Sequence, residues 1–219
     1  MTAVFWDLDD TLLETLPARM RALEHAYRLC LGSSVDAIEL WKSHRGGSLE
    51  ALGQRLLGSE GPRFVHAYRD FYFSNPKDIR PFEGVREVLD ALAEHGLPMA
   101  VVTAKISWGA TEELEETGLL PYFAAVIGAD DAEHHKPDPA PVYAAMDRLL
   151  ITDASDVVFV GDSPADIFAA RNAGALPVGA TWGTIDEELL RDATPAHLLR
   201  EPGELLLLLG TIAMGGAAP

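Results

Sequence analysis

Asp7 and Asp9 close the first apolar run of the chain, Ala3-Val4-Phe5-Trp6-Asp7-Leu8-Asp9-Asp10-Thr11. The run predicts a short buried strand, and in extended backbone residues two apart point the same way. Two carboxylates on one side of a strand end repel each other. Binding a hard cation and handling a phosphoryl group is the most economical reason to place them together. That chemistry asks for more carboxylate around the metal and for positive charge facing the phosphate.

Three later segments offer both. Thr103 ends the run Met99-Ala100-Val101-Val102, Lys136 sits in His135-Lys136-Pro137-Asp138-Pro139, and Asp162 and Asp166 lie in Gly161-Asp162-Ser163-Pro164-Ala165-Asp166 after Val157-Val158-Phe159-Val160. Each residue type has a job in phosphoryl transfer. A carboxylate can attack phosphorus and form an aspartyl phosphate. A second carboxyl can protonate the leaving oxygen and later activate water. A hydroxyl and an ammonium can hold the non-bridging oxygens as charge redistributes. Magnesium takes oxygen ligands and keeps several waters, so two or three acidic groups suffice.

The elements that must position these residues alternate from residue 82 onward. Helices are expected over Val85 to His95, Ser107 to Thr117, Pro139 to Leu150 (Asp138 as N-cap) and Pro164 to Ala173. Strands are expected over Leu97 to Thr103, Ala124 to Gly128, Asp156 to Gly161 and Ala175 to Ala180, with a short edge strand at Ala196 to Leu199 and a last helix at Pro202 to Leu209. Strands alternating with helices predict an α/β fold with a doubly wound parallel sheet, a Rossmann-like core. Ligands in such sheets gather outside the carboxyl ends of the strands. Between residues 15 and 80 the pattern is helical throughout, with expected helices at Pro17 to Leu31, Val35 to Trp41, Leu49 to Leu57 and Pro62 to Phe73. This predicts an inserted all-helical cap domain at 15–80 and a catalytic core made of 1–14 and 81–219.

Composition narrows the partners. The chain has 219 residues, 48% of them hydrophobic, and 17 basic against 34 acidic residues, a formal net charge of −17. A field of that sign disfavours nucleic acid and anionic membrane, so an anionic substrate must be captured by local groups. Cys30 is the single cysteine, which leaves no intrachain disulfide and fits a reducing compartment. The start lacks a basic stretch followed by an apolar signal run, and Leu205 to Leu209 is too short to span a bilayer. The expected setting is cytoplasmic, as a monomer or homodimer.

In chain order, DxDxT, a strand-end Thr, KPDP and GDxxxD resemble the motifs of the haloacid dehalogenase superfamily, and most of all its phosphoglycolate phosphatase-like members with a helical cap. The resemblance covers essentially the whole chain. It implies a Mg2+-dependent phosphatase acting on a small phosphorylated metabolite, which enters between core and cap. It implies Asp7 as nucleophile and Asp9 as general acid and base. Asp7, the backbone carbonyl of Asp9 and Asp162 would hold the metal, with Asp166 supporting that shell. Thr103 and Lys136 would grip the phosphate, together with backbone N–H groups near Leu8, Asp9 and Ala104. Asp10 stands where many relatives have Gly, and Ala104 where phosphoglycolate phosphatases often have Asn. The second aspartate, Asp9, argues for phosphate esters over carbon–halogen bonds, because the dehalogenase branch lacks it.

Some positions keep two readings. Asp166 lies three residues beyond Ser163, so it serves helix capping, the metal shell or both. Arg45, beside Gly46 in the Arg45-Gly46-Gly47 turn, reaches a second anionic group of the substrate or is a solvated turn residue. His134 and His135 are expected as surface imidazoles and not as ligands. Rival functions are a sugar phosphomutase, an inorganic pyrophosphatase and a non-enzymatic binding module of the same fold.

Overall fold

The computed structural model describes residues 3–44, 48–75 and 78–215, with side chains of the last helix described through Thr211. The chain divides into two compact units, one made of residues 1–14 and 81–219 and the other of residues 15–80.

The first unit is built on six parallel strands: β1 (Ala3–Trp6), β2 (Met99–Val102), β3 (Ala125–Ile127), β4 (Val157–Gly161), β5 (Leu176–Ala180) and β6 (His197–Leu199). Their order across the sheet is β3-β2-β1-β4-β5-β6. This is the doubly wound α/β arrangement in which strand order reverses beside the first strand. β1 pairs in register with β2 on one side and β4 on the other, Trp6 lying opposite both Val101 and Val160. β1, β2 and β4 are buried along their whole length. That burial is why they read as continuous apolar runs and not as alternating ones. One large cluster joins Phe5, Val102, Ile127, Val142, Met146 and Phe159.

The second unit packs four helices: α1 (Leu16–Leu31), α2 (Ala37–Ser43), α3 (Leu49–Leu57) and α4 (Gly61–Ser74). Met20, Leu23, Ala37, Leu52 and Phe64 form its core. The Asp36 and Ser48 side chains accept hydrogen bonds from the Glu39 and Ala51 N–H groups and start α2 and α3.

Beyond β1 the first unit adds α5 (Val85–Glu94), α6 (Ser107–Glu116), α7 (Ala140–Leu149), α8 (Pro164–Ala173), α9 (Glu187–Asp192) and α10 (Glu204–Gly215). Several element bounds shift by one or two residues from the sequence expectation, and three helices of this unit differ from it in the following ways. α7 starts one residue late, because Asp138 caps the Ala140 N–H at 2.9 Å and leaves Pro139 as the flanking residue. α9 was not foreseen; its signal is Asp186, whose side chain accepts from the Leu189 N–H ahead of Glu187 and Glu188. α10 begins and ends later than the expected last helix. Among the described residues, no helix is long and apolar enough to cross a membrane.

Candidate active site

The site lies where β1, β2 and β4 end. Asp7 follows β1, its N–H donating to the Val160 carbonyl at 2.9 Å and so continuing the ladder toward β4. Thr103 follows β2 in the same way, donating to the Ile127 carbonyl at 2.9 Å. Asp162 follows β4. Because β1 and β4 are neighbours, the carboxyl ends of two distant segments meet without any long connection having to reach over the sheet.

Asp7, Asp162 and Asp166 each present a carboxylate oxygen to one place, all within 4.8 Å of one another. All three are buried. Thr11, fully buried, donates from Oγ1 to Asp162 Oδ1 at 3.1 Å and sets that carboxylate's orientation. Asp166 does two jobs at once. Its Oδ2 accepts from the Ser163 N–H at 3.0 Å and the Ser163 hydroxyl at 2.6 Å, starting α8. Its Oδ1 accepts from Lys136 at 2.5 Å.

Lys136 bridges the cluster. Its ammonium also donates to Asp7 Oδ1 at 2.7 Å and to the Val102 carbonyl at 3.0 Å, tying the loop before α7 to the ends of β1 and β2. The electrostatics follow from this sharing. Burial raises the Asp7 pKa most, Lys136 lowers it, and the Asp166 and Asp9 charges raise it again; the balance is about 7. Lys136 moves the other way. Burial disfavours its charge, but Asp166 and Asp7 together outweigh that and hold it as a firm ammonium. One ammonium shared with Asp166 only partly offsets the Asp7 charge, which is the condition a further cation relieves.

Asp9 sits beside this cluster in a second buried ion-pair group that the sequence reading missed. Lys105 Nζ lies 2.7 Å from Asp9 Oδ1 and also pairs with Glu113 on α6. The Glu113 side chain is completely buried and that of Lys105 is 9% exposed. Burial works against the Lys105 ammonium, yet Asp9 and Glu113 hold its pKa above the ordinary lysine value. In the structure Gly109, Ala110, Glu113 and Leu114 form the buried stripe of α6, which places Glu113 at a core position. Thr11 was also passed over, although it is the last member of the DxDxT motif.

Local backbone explains three residue choices. Asp10 has a φ of 62°, the left-handed region that favours Gly and admits Asp more readily than most other residues. Gly161 allows Asp166 to close in, since a Cβ there would stand 2.4 Å from Asp166 Cβ. Trp182 and Gly183 pack on the turn after β1. Trp182 Nε1 donates to the Thr11 carbonyl at 2.9 Å, and a Cβ at Gly183 would lie 2.0 Å from the Asp10 carbonyl oxygen.

Of the other expected site residues, Leu8 is fully buried and its carbonyl accepts from the Leu12 and Leu13 N–H groups, closing the turn. Thr103 is buried, and its Oγ1 accepts from the Lys105 N–H at 3.1 Å. Ala104, between them, is exposed. His134 and His135 are exposed and take no part in the carboxylate cluster. Arg45 and Gly46 lie outside the described residues.

A parallel doubly wound sheet with a buried carboxylate cluster and a lysine at its topological switch point defines a class of α/β enzymes that handle anionic groups beside a cation. The sequence pattern of one such family, haloacid dehalogenase-like hydrolase, matches residues 4–180, and the chain belongs to it. The chain is 35% identical over 205 residues to a phosphoglycolate phosphatase of Neisseria meningitidis, covering 88% of this chain and 86% of that one. It is 30% identical over 217 residues to a pyrophosphatase PpaX of Halalkalibacterium halodurans, covering 97% and 99%. A crystal structure described as a predicted phosphoglycolate phosphatase from Haemophilus somnus superposes with a TM-score of 0.84 at 26% identity, covering 95% and 98%.

Proposed function

We propose that this enzyme is a Mg2+-dependent phosphatase that hydrolyses a small phosphomonoester, phosphoglycolate-like in size, through an aspartyl phosphate. The observation that carries the reading is the meeting of Asp7, Asp162 and Asp166 within 4.8 Å, with Lys136 on two of them. In this reading the α/β unit is the catalytic core and the helical unit of residues 15–80 is the cap.

The donor set fits magnesium. It is all oxygen, anionic and buried, and two or three such groups leave coordination positions for water and substrate. Asp7, Asp162 and the Asp9 carbonyl are its proposed ligands. Asp166, with both oxygens already engaged by Lys136 and Ser163, supports the shell from behind. When bound, the ion offsets the charge of the carboxylates and of the phosphate that must approach them.

The protein's own groups then carry the reaction. An Asp7 carboxylate oxygen attacks phosphorus, and the bond to the ester oxygen breaks with its electron pair leaving on that oxygen. Asp9 gives the leaving oxygen its proton and becomes a carboxylate. In the second half Asp9 takes a proton from water, the resulting hydroxyl oxygen attacks phosphorus, and the Asp7–phosphorus bond breaks. Inorganic phosphate leaves, with Asp7 ionised and Asp9 protonated as at the start. Thr103, Lys136 and the N–H groups near Leu8, Asp9 and Ala104 hold the non-bridging oxygens throughout.

Inorganic diphosphate is the second reading, supported by the near full-length match to the Halalkalibacterium pyrophosphatase. The chemistry is the same with phosphate as leaving group. Release of inorganic phosphate from a panel holding phosphoglycolate, other short phosphomonoesters, sugar phosphates and diphosphate tests both. Highest kcat/KM on a short monoester supports the first reading and on diphosphate the second. Isomerisation of a sugar phosphate without net phosphate release defeats both, as does no turnover with Mg2+ present.

A further inference from the structure

We propose that Lys105 and Glu113 form a positioning device for Asp9, holding its carboxyl where it can exchange a proton with the substrate's ester oxygen. The inference rests on the reading of Asp9 as the acid and base of a phosphatase.

In the proposed mechanism Asp9 must give up a proton and take one back in each turnover, and it sits on the turn after β1 and not in a strand. Its side chain is 16% exposed. The Lys105 ammonium donates to Asp9 Oδ1 at 2.7 Å and, through its second contact with Glu113, links that oxygen to α6. Proton exchange uses one carboxyl oxygen, so anchoring the other is compatible with the chemistry.

A lysine stem is flexible, and it positions nothing unless something positions its head. Glu113, completely buried, supplies that restraint by pairing with the same ammonium. Glu113 in turn is placed by α6, whose first turn is pinned by Asp130: its two carboxylate oxygens accept from the Ser107 N–H at 2.7 Å and the Ser107 hydroxyl at 2.9 Å. A chain of defined contacts thus runs from the loop after β3 through α6 to Asp9. A buried carboxylate and ammonium replaced by apolar groups of similar size are often neutral for stability.

The test compares two esters with wild type and the double variant Lys105→Met/Glu113→Met, which removes the Lys105–Glu113 pair together and with it the ammonium that holds Asp9. An alkyl ester, 2-phosphoglycolate, needs its leaving oxygen protonated. p-Nitrophenyl phosphate does not, because nitrophenolate leaves as the anion. The expected kcat/KM falls by about 100-fold on the alkyl ester and by less than about tenfold on the aryl ester, with KM little changed on either. A lower folded fraction scales both esters equally and cancels in their ratio. Lys105→Arg, which keeps a cation between the two carboxylates, should recover the ratio toward wild type. An unchanged ratio in the double variant, loss of activity on both esters alike, or no recovery with arginine overturns the positioning role. Failure of the wild type to hydrolyse the alkyl ester overturns the phosphatase reading first, and this inference with it.

Discussion

The Lys136 ammonium stands 2.7 Å from Asp7 Oδ1, joining residues 129 positions apart in the chain. Lys136 is also held by Asp166, so Asp7 receives only part of its charge, and burial raises the Asp7 pKa to about 7.

Asp7→Asn should therefore abolish turnover and yet stabilise the metal-free protein at alkaline pH. A carboxyl whose folded pKa lies above its unfolded value binds more protons when folded, so its contribution is favourable at low pH and is lost as pH rises toward 7. Above that the buried carboxylate costs on the order of a few kcal/mol, which the amide avoids. Thermal unfolding in chelator should show a higher Tm for the variant at pH 8 and a shrinking difference toward pH 4.5. A variant less stable than wild type at pH 8 contradicts the assignment of the electrostatics.

Mg2+ binding should release protons, because the ligand carboxyl must ionise. Affinity measured by calorimetry should be higher at pH 8 than at pH 6, and the heat should depend on the ionisation enthalpy of the buffer at pH 6. Calcium, with its longer bonds and looser geometry, should bind but support little turnover. Full activity in chelator would remove the metal from the mechanism.

Thr11→Val keeps the shape of a fully buried side chain and removes the hydrogen bond to Asp162. It should weaken Mg2+ binding by about tenfold, the usual effect of losing a partner that orients a ligand. Stability should fall by about 1 kcal/mol. Titration of Mg2+ followed by thermal shift measures both. An unaltered affinity would mean that Asp162 is oriented by other contacts.

Gly161→Ala should disrupt the site more than its size suggests. The added methyl would meet Asp166 Cβ and Cγ at 2.4 Å, and both oxygens of that carboxylate are engaged. Asp166 must move, and the Lys136 contact with it. Overpacking of this kind costs about 1–3 kcal/mol, and activity should fall further than stability. Denaturant unfolding and phosphate release, measured together, separate the two effects.

Much of this protein is legible in one dimension. β1, β2 and β4 are buried along their whole length, so their apolar runs stand out, and each is followed directly by a residue of the candidate site. The candidate residues Asp7, Thr103, Lys136 and Asp162 are recognisable because strand ends and turns are local features. α9 escaped because a six-residue helix shows too little periodicity to be seen. Glu113 escaped because Thr111-Glu112-Glu113-Leu114-Glu115-Glu116 reads as a solvated acidic face, and only the rotation of α6 against the sheet shows which glutamate turns inward. Local sequence thus determined which segments carry the candidate residues, since strand propensity and turn residues act over a few positions. Tertiary structure alone decided which charges pair, because Lys136 chooses Asp7 and Asp166 while Lys105 chooses Asp9 and Glu113 by the order in which strands dock. Pairing energies of buried charges depend on distance and desolvation, and neither exists until the sheet is assembled.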